Sequence, residues 1–270
     1  MPAGGTGLVL RGLRKEPATI GKWHLGWDLT YKEGKAKTVD NIDFTKRVAN
    51  GPTDRGFDYF YGLTSPSGPP HLYMVNDMAE KQPNTRFEES GGGLYKIKGG
   101  IGHSDWSADG MQPHLADKML EYLDENKDSD KPFFLYMALT APHIPLFPSK
   151  EFKGKSKIGD YGDLVMMIDD IVGRVNRKLK EIGKYDNTIV MFAADNGCAG
   201  YINMDRINRK GHYPSYIYRG YKSHGWEGGH RIPFILSWGD RYGHVTDNSL
   251  VSLTDLYATF ADMLGYRIAD

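Results

Sequence analysis

Residues 161–197 read YGDLVMMIDDIVGRVNRKLKEIGKYDNTIVMFAADNG and contain a complete helix–turn–strand unit. Tyr161, Leu164, Ile168, Val172, Val175, Leu179 and Ile182 recur at helical spacing, which predicts a helix over 161–183. Lys178, Lys180 and Gly183 are the usual end of such a helix, basic residues and then glycine. A turn follows at Lys184–Asn187. Thr188–Ala194 is then a near-continuous apolar run with no polar alternation, as expected of a strand covered on both faces. It leads directly into Asp195-Asn196-Gly197.

Working outward, the same pattern recurs. Pro113–Asn126 reads as a helix with Leu115, Met119, Tyr122 and Leu123 on one face. A charged turn, 127–131, precedes a strand at Phe133–Leu139, which opens into Thr140-Ala141-Pro142-His143-Ile144-Pro145. Near the start, Ala18-Thr19-Ile20 reads as the end of a buried strand running into Gly21-Lys22-Trp23-His24-Leu25-Gly26. Downstream, Phe234–Trp238 reads as a strand and Thr254–Leu264 as a helix. Helix–strand alternation of this kind predicts an α/β sandwich. Residues 62–112, rich in Gly, Pro and polar residues, read as long loops near a site or a small insertion. No internal repeat is present.

Composition narrows the function classes. The chain has 270 residues, with 34 basic residues balancing 34 acidic ones. A net charge of zero gives no general attraction to nucleic acid or to an anionic membrane. Any anion must be held by local placement of Lys, Arg and His. No run of about 18 apolar residues predicts a membrane span, and residues 1–20 lack the apolar core of a secretory leader. Cys198 is the only cysteine, which forbids an internal disulfide and leaves the redox compartment open.

Ligands of α/β sheets sit at the carboxyl ends of strands. Three predicted strands end in polar clusters: Lys22 with His24, His143, and Asp195 with Asn196. On an extended chain residues i and i+2 share a side, so Lys22 and His24 are predicted to converge on one small anion. His143, between two prolines, is either a rigidly positioned hydrogen-bonding group or a loop histidine packed for shape. Asp195 and Asn196 offer oxygens to a hard cation, although Asp-Asn-Gly is also ordinary turn chemistry. The stretch 218–233, YRGYKSHGWEGGHRIP, is dense in glycines, cations and aromatics. Lys222 there is a point charge suited to a sulfate or phosphate oxygen, whereas Glu227 and Arg231, four apart, read as structural partners.

The chain resembles the sulfatases of the arylsulfatase type, within the alkaline-phosphatase-like superfamily. Four blocks carry the resemblance in order: GKWHLG at 21–26, APHIP at 141–145, AADNG at 193–197 and RGYKSHGWEGGHRIP at 219–233. GFDYFYG at 56–62, KPFFLYMAL at 131–139, YGDLVMMIDDIVGRV at 161–175 and SLTDLYATFADMLG at 252–265 link them. The resemblance implies a mixed, largely parallel sheet between helices, here without its first strands. It implies a partial catalytic domain over 1–270, with a loop-rich insertion at 62–112 and no C-terminal subdomain.

By the same resemblance, Lys22 binds the sulfate and the nucleophile's oxygen, and His24 supports the nucleophile. His143 contacts the sulfate or assists the leaving group, and Lys222 grips a sulfate oxygen. Asp195 and Asn196 supply two oxygens to a divalent cation, usually Ca²⁺. A serine of Thr64-Ser65-Pro66-Ser67 is a further candidate for the site.

The family's nucleophile is a formylglycine made from cysteine in a Cys-x-Pro-Ser-Arg motif. That motif does not occur in these 270 residues, and Cys198 lacks its Pro and Arg. The acidic pair that would complete the cation shell is also missing, since Asp169-Asp170 falls within the long predicted helix. The implied substrate is a sulfated small molecule or glycan. The implied partner of a full-length protein is a formylglycine-generating enzyme, and the implied compartment is periplasmic, secreted or lysosomal. The competing readings are a non-catalytic protein that binds sulfated or phosphorylated ligands, and a related phosphoester hydrolase.

Overall fold

The computed structural model describes residues 16–65 and 67–268. Its centre is a five-stranded mixed sheet in the order β4-β3-β2-β1-β7. β1 (Glu16–Lys22) lies between β2 (Tyr59–Leu63) and β7 (Phe133–Ala138) and is parallel to both. The short β3 (Met74–Val75) and β4 (Met78–Ala79) extend the sheet as antiparallel neighbours of β2. Residues 62–112 are therefore not all loop. They hold this hairpin and a second antiparallel pair, β5 (Thr85–Phe87) with β6 (Gly100–Gly102). Strands of two or three residues are too short to print a periodicity on the sequence, which is why they escape a pattern reading.

α1 (Met111–Glu125) and α2 (Asp160–Glu181) pack against each other and against one face of the sheet. Leu115, Met119 and Leu123 of α1 and Leu164, Met167 and Ile171 of α2 bury fully with Ala18 and Ile20 of β1. These positions repeat at three- and four-residue intervals, so one stripe of each helix meets the sheet. α2 ends as its sequence requires: Gly183 takes φ +69° and the Lys184 amide donates to Leu179 O at 2.9 Å. The opposite face carries a helix at its β7 side, where Phe134, alternating with the inward Leu135, meets Phe260 of the helix Asp255–Met263 edge-on at 5.9 Å. Trp23, Ile42, Phe44 and Val48 from the irregular segment after β1 cover Phe60 and Met74 there. Helices thus lie on both faces as expected, and bulky apolar residues of the segment after β1 supply most of the second layer over β2 and β3.

β8 (Ile189–Ala193) departs from the expected arrangement as well. It pairs antiparallel with β9 (Phe234–Trp238) in a separate two-stranded sheet. Among the described residues, the outer edges of β7 and β8 carry no strand pairing. The apolar runs of both strands are consequently half-buried rather than buried, and Tyr136 in β7 is 51% exposed. Shorter helices α3 (Met204–Arg209), α4 (Glu227–His230) and α5 (Asp255–Met263) complete the chain. Among the described residues, no helix is long and apolar enough to cross a membrane.

Candidate functional site

Two glycines deliver Lys22 to the end of the sheet. Gly21 pairs with Gly62 of β2 on one side and Ala138 of β7 on the other. It adopts φ +131°, and a Cβ there would lie 2.0 Å from the Ala138 carbonyl oxygen. A Cβ on Gly62 would lie 1.8 Å from Gly21 O. Only glycine at both positions lets the three parallel strands close up here. Trp23 then turns into the core, with its indole N–H donating to Gly26 O at 3.1 Å, while Lys22 is half-buried and His24 exposed.

β7 ends next to β1 and feeds the His143 segment. The His143 amide donates to Thr140 O at 3.1 Å, and Nδ1 lies 2.6 Å from Ile144 O. A carbonyl only accepts, so Nδ1 carries the proton and Nε2 is left with its lone pair in the neutral ring. Gln112, buried at the start of α1, holds the same segment. In the amide orientation that satisfies both ends, its oxygen accepts from the Thr140 amide at 3.0 Å and from the Ala141 amide.

The third element is the turn after β8. The Gly197 amide donates to Gly229 O at 2.9 Å, and the Lys222 amide donates to Cys198 O at 2.8 Å. A Cβ on Gly197 would lie 2.0 Å from Gly228 O, so glycine is what allows the 219–231 loop to lie against the Asp195–Cys198 turn. That loop is braced from within. Arg219 stacks 4.0 Å over Trp226, and Arg231 Nε donates to Glu227 Oε2 at 2.5 Å, the structural pairing its spacing predicts.

These three elements meet electrostatically at His143. Burial lowers its pKa below the usual histidine value. The Ile144 carbonyl opposes that shift, the Lys22 and Lys222 ammoniums add to it, and Asp195 opposes it. Lys22, Lys222 and Asp195 therefore each bear on His143, although 200 residues separate the two lysines. Two cations beside a neutral imidazole are a charge arrangement suited to a small anion. Tyr136, which no sequence pattern marks, belongs to the same region. Desolvation of its half-covered ring and then the Asp195 charge raise its hydroxyl pKa.

Other expected members are placed less closely. His24 is exposed and makes no hydrogen bond among the described residues, and its charge is not among those bearing on His143. β1 ends at Lys22, so the i, i+2 argument no longer fixes where His24 points. Asn196 donates from Nδ2 to Asp195 Oδ1, so the two side chains engage each other. Among the described residues, no group of three or more His, Cys, Asp or Glu is arranged to hold a metal. Two oxygens fall well short of the roughly six to eight that Ca²⁺ takes, so these residues do not make a Ca²⁺ site by themselves.

Ser65 Oγ accepts from the Gly68 amide at 3.3 Å and closes a turn. Pro66, within the same candidate stretch, lies outside the described residues. Cys198 receives a hydrogen bond from the Tyr161 hydroxyl at 3.5 Å and lies 3.9 Å from Met204 Sδ. Burial pushes its thiol pKa up, the opposite of what a nucleophile needs. Asp169 and Asp170 lie on α2, where Asp170 pairs with Arg177 at 3.5 Å.

The family model described as Sulfatase matches residues 9–266. An N-acetylgalactosamine-6-O-sulfatase of Bacteroides thetaiotaomicron is 29% identical over 280 residues, covering 91% of this chain and 53% of the relative. An arylsulfatase of Hemicentrotus pulcherrimus is 30% identical over 246 residues, covering 91% and 40%. A solved Bacteroides thetaiotaomicron structure, reported in connection with the metabolism of multiple glycosaminoglycans, superposes with a TM-score of 0.80 at 26% identity. That superposition covers 98% of this chain and 61% of the other. The chain therefore spans about half the length, or less, of the curated relatives named here.

Proposed function

The chain belongs to the sulfatase family, and on that premise we propose that it carries the sulfate-gripping part of an enzyme that hydrolyses a carbohydrate sulfate ester. The supporting observation is the convergence of Lys22, Lys222 and Asp195 on His143 at the strand ends. A sulfate ester brings one negative charge and gathers more on its leaving oxygen as the S–O bond breaks. Two ammonium groups offset that charge, and they act most strongly where water is excluded. His143, its Nδ1–H committed to Ile144 O, has Nε2 available to take a proton and later return it to the leaving oxygen. His24 is assigned a supporting role by family likeness alone.

A sulfated sugar is the preferred substrate because relatives named for N-acetylgalactosamine-6-sulfate chemistry recur among the curated matches. The metal belongs to this reading only in part. Asp195 and Asn196 are proposed as two oxygen ligands of a divalent cation, with Ca²⁺ favoured, and no step is assigned to it. These residues include no Cys-x-Pro-Ser-Arg motif, and the Cys198 thiol is held protonated, which favours binding without turnover as the behaviour of the chain alone. A formylglycine-generating enzyme and an exported or lysosomal setting belong to the proposal for the whole protein.

Calorimetric titration with N-acetylgalactosamine 6-sulfate and with the unsulfated sugar tests the reading. The sulfated sugar is expected to bind and the unsulfated one not. Equal binding of the two overturns it. The chain is expected to release no product from p-nitrocatechol sulfate, and Lys22-dependent hydrolysis would refute the absence of a nucleophile.

A further inference from the structure

A cavity of about 490 Å³ lies outside the residues assigned above. Its lining includes the apolar and aromatic Ile97, Trp106 and Phe147, the exposed Lys150 and Lys153, and the carboxylates of Glu88 and Asp109. Among the described residues, neither lysine makes an ion pair, and neither does Asp109.

Two features place this cavity on the same side of the molecule as His143. The first is topological. α1 runs into the parallel strand β7 through a short turn, so it lies antiparallel to the strands. Tyr122, late in α1, stacks at 6.0 Å on Tyr59 at the start of β2 and meets Phe133 at the start of β7. His114, early in α1, packs instead against Tyr61 and Tyr73. Asp109 precedes α1 and so sits level with the carboxyl ends of β1 and β7. The second feature is covalent. Phe147 follows His143 by four residues, a span of at most about 14 Å. The Leu146 amide donates to Leu94 O at 2.8 Å, and Phe147 meets Tyr95 edge-on at 5.9 Å, so this short segment is anchored rather than loose.

We propose that this cavity is a second sugar subsite, one that takes an anionic unit of the same sulfated glycan beyond the unit whose sulfate meets Lys22, His143 and Lys222. The inference rests on the sulfatase reading above. The chemistry matches: an aromatic lining accepts the apolar face of a pyranose, the two unpaired ammoniums attract a sulfate or carboxylate, and the Glu88 and Asp109 carboxylates accept from ring hydroxyls. The volume is within the range of pockets that hold small ligands.

The test compares N-acetylgalactosamine 6-sulfate with a tetrasaccharide of alternating uronic acid and 6-sulfated N-acetylgalactosamine, by calorimetry. The tetrasaccharide is expected to bind the unmodified chain at least tenfold more tightly than the monosaccharide. Lys150→Ala with Lys153→Ala is expected to remove that gain and leave monosaccharide affinity within twofold. Both lysines are exposed, so the double variant keeps the fold. Lys32→Ala with Lys35→Ala, which removes the same charge from another exposed region, is expected to change neither affinity. If the tetrasaccharide has no advantage, keeps it in the Lys150/Lys153 variant, or loses it equally in the Lys32/Lys35 variant, the subsite is refuted while the sulfatase reading stands. If neither ligand's binding depends on Lys22 or Lys222, the sulfatase reading fails and the subsite fails with it.

Discussion

Gly21→Ala is the most informative single perturbation of the scaffold. The added methyl would sit 2.0 Å from the Ala138 carbonyl oxygen, a backbone atom that no rotamer change can move aside. Relief requires β1 and β7 to separate by more than an ångström just where one strand ends in Lys22 and the other leads to His143. Two costs combine. Holding alanine at φ +131° is worth about 1–3 kcal/mol, since that region is nearly exclusive to glycine. Forcing a methyl into a closed contact adds about 1–3 kcal/mol. The sum, about 2–6 kcal/mol, is a large part of a typical domain's stability. In thermal unfolding it corresponds to a fall in Tm of roughly 5–20 °C for a chain of this size. Gly26→Ala is the matched control, because Gly26 also has positive φ, +97°, but nothing lies within 4 Å of its added Cβ. It bears the conformational cost alone, about 1–2 kcal/mol. If the two variants unfold at the same temperature, the strand-closure argument is wrong.

Binding of sulfated sugar should take up a proton at His143. Burial and two lysines hold the free ring neutral, whereas an anion alongside it favours the imidazolium. Affinity is therefore expected to fall as pH rises from the depressed free pKa to the higher bound pKa, and to be level on either side of that window. Titrations in buffers of different ionisation enthalpy measure the uptake, and His143→Gln should abolish it. Gln112→Ala leaves the Thr140 and Ala141 amides without their acceptor, at a cost of about 1–3 kcal/mol in urea unfolding. It should also weaken sulfated-sugar binding through the loosened His143 segment, whereas stability and binding at wild-type levels would remove Gln112 from the account. Ca²⁺ should bind the chain more weakly than about 1 mM, because two oxygens are a fraction of its shell. Submillimolar binding lost in Asp195→Ala would reveal further ligands beside Asp195 and Asn196.

The long elements were legible in the sequence. The helix expected over 161–183 runs Asp160–Glu181, and the strand expected over 133–139 runs Phe133–Ala138. Their apolar spacing extends over enough residues to separate one period from the other. The partnering of β8 was not legible. An uninterrupted apolar strand states that it can be buried, but not which strand lies beside it. The contacts that assemble the site were legible only as isolated clusters at strand ends. Gly21, Gly62 and Gly197 work through neighbours 31 to 117 positions away, and no local pattern announces such an approach. Gln112 was hidden for a related reason, since a polar residue near a helix start reads as solvated until the segment it holds is known. Trp106 lies in the stretch 62–112 that reads as loop, and nothing local shows that it lines one cavity with Phe147.

The central claim is that Lys22 and Lys222 hold one anion from opposite ends of the chain. A double-mutant cycle on N-acetylgalactosamine 6-sulfate binding tests it most directly. Each charged hydrogen bond is worth about 1.5–3 kcal/mol, so Lys22→Ala and Lys222→Ala should each weaken binding by roughly 10- to 150-fold. The pair should be coupled by at least about 0.5 kcal/mol, as groups sharing a ligand are. Affinity unchanged in either single variant, or strictly additive losses, would contradict a shared sulfate site.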